Sequence, residues 1–296
     1  MRKLITVFGS INADLMLRCA ALPAAGETVL ATHSAVAAGG KGGNQAFAAA
    51  ANCQVVALAG AVDQAVAMVG AVGKDALADA ALAGLQARGV DLAAVKTVDA
   101  CTGVASVAVN AAGENQIIVA SGANAHVLAS DLTDELLAKT AVFVAQMELP
   151  SAEVFKTIAR AKSSGAKTLL NNTPAGFVPL EVLRLVDVLV VNGGELRQTC
   201  EHLGLPADTS LQTLAQLTGG TVVVTLGARG AVAATGSAVF QAAAVPVKVR
   251  DTTGAGDAFC GAFAVAMRNN LPLPQALAAA NAAGSQACTV QGAQAF

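Results

Sequence analysis

The sequence predicts an α/β fold of three layers, with helices on both faces of a mostly parallel central sheet and a small second sheet lying over it. From Ala141 onward, strand-like and helix-like segments alternate, as is typical of parallel sheets with helical crossovers. Segments 12–37 and 103–120 contain strand patterns without intervening helices, which predicts the second sheet. Hydrophobic residues make up 54% and charged residues 13% of the 296-residue chain, which predicts a large core. We therefore expect residues 1–296 to form one domain, with the strands of the second sheet inserted at about 12–37 and 101–121.

Composition and charge disfavour several classes of partner and site. The formal net charge of −2 gives no electrostatic reason to expect nucleic acid or an anionic membrane as a partner. The six cysteines include no C-x-x-C pair, so we expect reduced thiols. The apolar run after Arg2 and Lys3 is too short for the core of a signal peptide, and the most apolar long stretch, 55–73, contains polar and glycine interruptions. These features favour a cytoplasmic protein.

The first strand and the polar residues after it suggest a ligand site near the N-terminus. Leu4–Phe8 has the pattern of a buried strand, and Gly9 follows it. The next residues lack the second and third glycines of a dinucleotide-binding fingerprint. Asn12 and Asp14 are two apart, so on a strand they would share one face, where they could hydrogen-bond the vicinal hydroxyls of a sugar. A polar turn is the alternative.

Residues 39–45, with the sequence GGKGGNQ, form a glycine-rich segment that we expect to be a loop before an alanine-rich helix starting at Ala46. The segment is not a phosphate-binding Walker A loop, because no glycine stands five before Gly40 and Gly42 occupies the Ser/Thr position. Its glycines would let the backbone approach a ligand closely, with Lys41 and Asn44 as the polar groups. A flexible linker is the alternative.

The middle of the chain contains a duplication and then a hairpin. Residues 56–64 and 66–74 are near-copies, which predicts a local duplication that adds a strand or a long loop. Residues 75–89 have a helical pattern, and we expect a connection after them. The β-rich segments 103–109 and 115–120 flank turn-forming residues, which predicts a β-hairpin.

A strand is also expected at 28–37, and with the hairpin it would belong to the small sheet.

In the second half, strands expected at 142–147, 167–172, 186–191 and 221–227 alternate with helices. Ligands of parallel sheets gather at the carboxyl ends of the strands. Polar or glycine residues stand at or just beyond these ends, namely Glu148, Asn171, Asn192, Glu195, Thr225 and Gly227.

Residues 251–257, with the sequence DTTGAGD, lead directly into an apolar segment of helical spacing. Gly254 and Gly256 allow backbone conformations that side chains would forbid. The unpaired amides at the start of the helix could bind a phosphate or a developing oxyanion. Asp257 would place a carboxylate beside that anion site, as a group able to remove a proton. An Asp-capped helix after a glycine loop is the alternative.

Taken together, these motifs resemble the ribokinase group of the phosphofructokinase-B-type sugar kinases. The matching pieces occur in family order over nearly the whole chain, at 9–14, 23–28, 39–45, 122–124, 146–150, 192–195, 225–230 and 251–259. The glycine-rich segment 39–45 and the 251–257 signature are together the most specific of them. The resemblance implies a ribokinase-like fold with a small β-sheet lid and a homodimer whose lid strands pair across subunits.

The resemblance also implies ATP-dependent phosphorylation of a sugar hydroxyl, O5 if the sugar is ribose. Asp257 resembles the general base, and Gly254 together with the amides of Ala255, Gly256 and Asp257 resembles the anion hole for the transferring phosphoryl group. The residues that would hold the sugar, besides Asp257, are Asn12, Asp14, Gly40, Lys41, Asn44 and Glu148.

The nucleotide and ion sites are likewise implied by the resemblance. Asn192 and Glu195 would position Mg²⁺ and the phosphates, with Glu195 acting through water. Thr225, Gly227 and Gly230 would line the ATP pocket, with Asn281 near the adenine. A monovalent cation, potassium, would be held by Asp251, Thr253, Ala287, Val290 and Gly292. Phe296 stands where a small polar residue is usual at that site.

The expected substrate is a bare sugar, because neither lid stretch contains an aromatic residue on which a nucleoside base could stack. Asn12, Asp14 and Glu148 match ribose-directed members best, so D-ribose is the expected substrate. Two alternatives remain. One is a kinase for another sugar, a ketose, hexose or deoxysugar. The other is a non-catalytic sugar-binding regulator on the same fold.

Overall fold

The computed structural model describes residues 3–56 and 65–296. The described strands are β1 (Leu4–Phe8), β2 (Asn12–Arg18), β3 (His33–Gly39), β4 (Val66–Gly73), β5 (Asp91–Val98), β6 (Gly103–Val109), β7 (Asn115–Ala120), β8 (Thr140–Gln146), β9 (Lys167–Asn171), β10 (Val188–Asn192), β11 (Thr221–Thr225), β12 (Ala231–Ala234) and β13 (Val239–Ala242). The described α-helices are α1 (Lys41–Val56), α2 (Ala76–Ala87), α3 (Asp134–Lys139), α4 (Ser151–Ser163), α5 (Leu180–Leu183), α6 (Gly193–His202), α7 (Leu211–Thr218), α8 (Ala255–Arg268) and α9 (Leu273–Ala287).

The large sheet runs in the order β13-β12-β11-β10-β9-β8-β1-β4-β5. Its pairs from β5 to β11 are parallel, and β12 and then the edge strand β13 extend the sheet beyond β11 with antiparallel pairs. The expected mostly parallel sheet is therefore confirmed. Because parallel strands point the same way, their carboxyl ends lie along one edge.

Both faces of this sheet are covered by helices, which gives three layers. Val7 of β1 belongs to a buried cluster with Phe47 of α1 and Phe263 of α8. Its neighbour Phe8 belongs to a second cluster, which includes Ile158 of α4. Successive residues of a strand point to opposite faces, so both faces must be apolar. This explains the continuous apolar runs of the inner strands.

The small sheet has the order β3-β2-β6-β7, as the strand-only segments predicted. Its central strand β2 starts four residues after β1 ends, so this sheet emerges from the carboxyl edge of the large one. Asn12 is paired with Gly39 on one side and with Gly103 on the other. Asn12 and Asp14 lie two apart on β2 and share one face, as expected.

Helices α1 and α8 pack closely on one face of the large sheet. A Cβ atom on Gly261 of α8 would lie 2.6 Å from the Cβ of Ala48 and 2.8 Å from the carbonyl oxygen of Gln45. Only glycine permits this approach. The contact brings the first turns of α1 and α8 together at the carboxyl edge of the sheet.

The bounds of one helix and one strand differ from the sequence prediction. Helix α1 begins at Lys41 and not at Ala46, because Gly42 packs against the backbone of Gly9, whose carbonyl carbon would lie 2.5 Å from a Cβ at position 42. This tertiary contact overrides the low helix propensity of glycine. The strand expected at 28–37 spans His33–Gly39.

The prediction also missed the strand β5, which the alternation of its residues signals weakly and its pairing with β4 stabilises. The second near-copy forms β4, whereas the first falls almost entirely outside the described residues. Within the described ranges, no helix combines the length and hydropathy needed to cross a membrane.

Candidate active site

A cavity of about 170 Å³ lies at the carboxyl edge of the large sheet. It is bounded by the ends of β9, β10 and β11 and by the first turns of α1, α6 and α8. Its lining residues are Lys41, Asn171, Thr173, Val190, Val191, Asn192, Glu195, Thr225, Gly254, Gly256, Asp257 and Cys260. The cavity thus brings together residues predicted for the sugar, the nucleotide and the reaction centre.

The first turn of α8 supplies backbone donors beside this cavity. Gly254 precedes the helix in the left-handed conformation, with φ of 75°, and a Cβ there would lie 2.6 Å from that of Ala293. The N–H of Ala255 donates to the carbonyl of Thr252 at 3.2 Å. Those of Gly256 and Asp257 have no acceptor among the described residues, as is usual for the first turn of a helix. An anion hole at this turn would therefore use chiefly these two amides.

Asp257 is buried, with 6% of its surface exposed, and both carboxylate oxygens accept hydrogen bonds. Nδ2 of Asn44 donates to Oδ2 at 3.1 Å, and Nε2 of Gln45 donates to Oδ1 at 2.9 Å. The amide of Gln45 also donates to Oδ1 of Asn171 at 3.0 Å and accepts from Nε2 of Gln146 at 2.7 Å. The carboxylate is thus fixed in place by neutral donors from α1.

Two of these network residues had no role in the sequence prediction. Gln45 was recognised only as part of the glycine-rich segment, and Gln146 only as part of a strand end and of the matching segment 146–150. A helix start at Lys41 would have placed Asn44 and Gln45 on the first turn of α1, where they can reach a neighbouring helix. The strand-end position of Asn171 was recognised, but its bond to Gln45 was not.

The predicted sugar side is built on β2, where glycines of the flanking strands leave room for polar side chains. A Cβ on Gly39 would lie 2.2 Å from the carboxylate of Asp14, and one on Gly103 would lie 2.3 Å from Oδ1 of Asn12. Nδ2 of Asn124 donates to Oδ1 of Asn12 at 2.8 Å. This bond orients the Asn12 side chain.

Glu148 lies at the start of α1 and links it to the strand ends. Its Oε2 accepts from the hydroxyl of Ser10 at 2.5 Å and from the backbone N–H of Lys41 at 3.0 Å. A carboxylate at a helix N-terminus is stabilised by the helix dipole. Gly40, with φ of 81°, makes the turn into α1, where a Cβ would lie 2.8 Å from the backbone nitrogen of Asn12. Ser10 was missed by the sequence prediction.

Several acids surround one lysine in this region. Burial, and then the carboxylates of Glu148 and Asp257, raise the pKa of Asp14 to about 6, against the opposing charge of Lys41. Burial disfavours the charged form of Lys41, but the nearby carboxylates together have a larger effect and raise the pKa of its ammonium group. These carboxylates belong to Asp257, Glu148 and Glu195. Oδ1 of Asp14 is buried and has no hydrogen-bond partner among the described residues. Such an acceptor suits a ligand that brings hydroxyl donors.

Cys260 also lines the cavity. Burial raises the pKa of its thiol well above the ordinary value. This burial disfavours the thiolate form, which is the nucleophilic form of a cysteine.

At the nucleotide side, Asn192 and Glu195 form a reciprocal cap at the start of α6. Oδ1 of Asn192 accepts from the N–H of Glu195 at 2.9 Å, and Oε2 of Glu195 accepts from the N–H of Asn192 at 2.7 Å. Thr225 lines the same cavity. The structure therefore brings these three predicted residues close to Asp257.

Three other predicted nucleotide residues lie outside the cavity lining. Gly227 and Gly230 form the turn between β11 and β12, where the N–H of Leu226 donates to the carbonyl of Gly230 at 2.7 Å. Asn281 on α9 donates to the carbonyl of Ala242 at 2.8 Å. Their contacts with a nucleotide remain predictions.

Two of the predicted cation residues, Thr253 and Gly292, are hydrogen-bonded to a third, Asp251. Its Oδ1 accepts from the N–H of Thr253 at 2.9 Å and its Oδ2 from the N–H of Gly292 at 3.0 Å. Burial would raise the pKa of Asp251, but these hydrogen bonds outweigh it and lower the pKa. The carbonyl of Ala287 accepts from the N–H of Val290 at 3.4 Å. The loop is thus assembled, and its binding of a cation remains a prediction.

The raised pKa of Asp14 makes the stability of the unliganded protein depend on pH. Between the ordinary value of 3.8 and about 6 the folded state binds more protons than the unfolded state, so the free energy of unfolding falls as pH rises through this window. Asp14→Asn removes the buried negative charge that causes this loss of stability. We therefore expect the free energy of unfolding of the variant to exceed that of wild type at pH 7.5 by on the order of 1–3 kcal/mol, with no gain below about pH 4.

Urea unfolding at several pH values measures this difference. Asp208→Asn, at an exposed position, is the matched control and should show no such pH dependence. A gain for Asp14→Asn that is equal at all pH values, or a loss at pH 7.5, would contradict the electrostatic origin.

Comparisons with known proteins identify a family for this chain. The sequence matches the profile of the pfkB family carbohydrate kinases over residues 2–296. It is 34% identical to a ribokinase of Lactococcus lactis over 98% of this chain and 92% of that one. It is also 33% identical to a deoxyribokinase of Salmonella typhi over 88% of this chain and 84% of that one.

A solved structure of a ribokinase also resembles this fold. The structure of Arabidopsis thaliana ribokinase complexed with ribose and ATP superimposes with a TM-score of 0.85 at 31% identity, over 99% of this chain and 95% of that one. The ribokinase-like fold expected from the motifs is therefore confirmed. The match over the whole chain, together with these relatives, shows that the chain belongs to the pfkB family of carbohydrate kinases.

Proposed function

We propose that the chain transfers the γ-phosphoryl group of ATP to O5 of D-ribose, giving ribose 5-phosphate and ADP. The observation that carries this proposal is the carboxylate of Asp257, fixed by Asn44 and Gln45 beside the free amides of the α8 first turn. A proton acceptor next to an anion site is what phosphoryl transfer to an alcohol requires.

Asp257 takes the proton of the sugar hydroxyl as the oxygen attacks the γ-phosphorus. The amides of Gly256 and Asp257 then stabilise the negative charge on the transferring group. Such donors are effective because they are already oriented before the reaction. Lys41, which lines the same cavity, adds a positive charge beside the phosphates or the sugar.

The residues of the nucleotide side fit a magnesium ion held largely by phosphates. In kinases Mg²⁺ uses one or two carboxylates and completes its shell with water and phosphate oxygens. Glu195, which lines the cavity, would supply such a carboxylate and would act through water. The described residues contain no cluster of three or more His, Cys, Asp or Glu side chains able to hold a metal by themselves. When bound, the ion neutralises charge on the phosphates.

Two further ligand contacts belong to this proposal. ATP would extend from the cavity toward Thr225, Gly227, Gly230 and Asn281. Potassium would bind near Asp251, Thr253 and Gly292, which hydrogen bonds already hold together.

D-ribose is favoured by the acceptors on the sugar side. Asn12 and Asp14 present oxygen acceptors on one face of β2, and Glu148 lies at the start of α1. The similarity to ribokinases supports the same choice. The similarity to a deoxyribokinase favours a deoxysugar as the second candidate. A non-catalytic regulator would have no need for a fixed carboxylate beside an anion site.

The Asp257→Asn variant tests the base assignment. We expect kcat to fall roughly 10²- to 10⁴-fold, because the amide cannot take the hydroxyl proton, while the dissociation constant for the sugar changes far less. Steady-state ADP release and calorimetric sugar binding measure the two quantities. Asp79→Asn, at an exposed position of α2, is the control. A turnover within a few-fold of wild type would rule out this role.

We also propose a homodimer formed through the small sheet. All six residues of the edge strand β7 are exposed, among them Ile117, Ile118 and Val119, and Val36 of the opposite edge strand is 51% exposed. An apolar edge strand that stayed in water would promote uncontrolled association. Pairing with a second copy would cover these side chains.

Sedimentation equilibrium tests this assembly. We expect wild type to sediment as a dimer and Ile118→Lys, at a side chain that is 74% exposed, to sediment as a folded monomer. Val239→Lys, on the edge strand of the large sheet, should leave the dimer intact. A monomeric wild type, or an Ile118→Lys variant that remains dimeric, would contradict the proposal.

A further inference from the structure

Gln294, near the end of the sequence, inserts its side-chain amide between α1 and α2. Its Nε2 donates to Oδ1 of Asn44 at 3.0 Å. Two glycines leave room for this side chain. A Cβ on Gly84 of α2 would lie 2.2 Å from Oε1 of Gln294, and one on Gly43 of α1 would lie 3.3 Å from its Nε2. Both helices therefore leave a slot in which this amide lies.

The direction of the hydrogen bonds follows from the charge of Asp257. A carboxylate only accepts, so Asn44 must turn its Nδ2 toward Asp257, as the 3.1 Å contact shows. Oδ1 of Asn44 then faces away from Asp257 and needs a donor. Gln294 supplies that donor. The three side chains thus form a chain of hydrogen bonds with one direction, from Gln294 through Asn44 to Asp257.

The backbone around Gln294 is anchored on both sides. Two residues earlier, the N–H of Gly292 donates to Asp251. Two residues later, the ring of Phe296 packs edge-on against Phe47 of α1, with centroids 5.5 Å apart. The guanidinium of Arg88 lies 4.8 Å from the centroid of Phe47 and donates to the carbonyl of Phe296. The position of the Gln294 amide is therefore set by contacts on either side of it.

Stability alone does not account for an amide at this position. Oε1 of Gln294 is buried and has no hydrogen-bond partner among the described residues. A buried acceptor without a partner opposes folding, and an apolar side chain of the same length would fill the slot without that cost. What an apolar side chain could not do is donate to Asn44.

We propose that Gln294 is a positioning residue for phosphoryl transfer, which acts through Asn44 to hold the carboxylate of Asp257 in its reactive orientation. This inference rests on the proposed function of Asp257. Without the Gln294 donor, the Asn44 amide is free to rotate, and Asp257 loses a fixed partner. Small displacements of a catalytic group reduce the rate strongly, since the reacting atoms must be held close and aligned.

Two substitutions of similar size separate positioning from packing. Gln294→Met keeps the length and removes the donor, so we expect kcat to fall roughly 10- to 100-fold. Gln294→Glu replaces the donor by an acceptor that attracts Nδ2 of Asn44 away from Asp257, so its kcat should be lower still. KM for ATP should change less than a few-fold in both variants. The melting temperature of Gln294→Met should stay close to that of wild type, because the variant loses the donor to Asn44 but also removes the unpaired Oε1.

The same substitutions at Gln275, which is exposed in the first turn of α9, control for the added charge and for the loss of an amide. They should leave kcat unchanged. A double-mutant cycle with Asn44→Ala provides the decisive readout. Because Gln294 acts through Asn44, Gln294→Met should have almost no further effect on kcat in the Asn44→Ala background.

An active wild type whose kcat is unchanged by either Gln294 substitution would overturn this inference and leave the proposed function intact. The inference would also be overturned if Gln294→Met reduced kcat by the same factor in the wild-type and the Asn44→Ala backgrounds. A wild type without turnover on any sugar would overturn both.

Discussion

Asp257 is a buried carboxylate, and its need for hydrogen-bond donors constrains the arrangement of the whole carboxyl edge of the sheet. Buried charges are tolerated only when they are paired or hydrogen-bonded. Here the donors come from Asn44 and Gln45, more than 200 residues earlier in the chain. They reach Asp257 only because α1 and α8 approach closely at Gly261. Helix packing and the orientation of the carboxylate are therefore one structural feature.

The group of residues predicted to hold the sugar lowers the stability of the unliganded protein. Asp14 shares its surroundings with the carboxylates of Glu148 and Asp257, and one of its oxygens has no partner among the described residues. The positive charge of Lys41 offsets the repulsion among these carboxylates only in part. Hydroxyl groups of a sugar would supply the missing donors, so the same groups that weaken the empty site would strengthen the occupied one. This unpaired oxygen and the crowding of carboxylates are what a sugar-binding role for this edge would explain.

Local sequence patterns predicted the features that depend on local geometry. The alternation of strands and helices predicted the parallel sheet, and the spacing of Asn12 and Asp14 predicted their common face. The start of α1 could not be predicted in this way, because it depends on the packing of Gly42 against Gly9. The bonds from Gln45 to Asp257 and from Gln294 to Asn44 join residues 212 and 250 positions apart. No local pattern contains such information.

We propose that the carboxylate of Asp257 and the amides beside it promote transfer of the γ-phosphoryl group of ATP to O5 of ribose. Phosphorus NMR of the protein incubated with magnesium, ATP and D-ribose tests this claim most directly, since it identifies both the product and the position of the new bond. We expect ADP and ribose 5-phosphate in equal amounts. Intact ATP in the presence of bound ribose, or a phosphate on another hydroxyl, would contradict it.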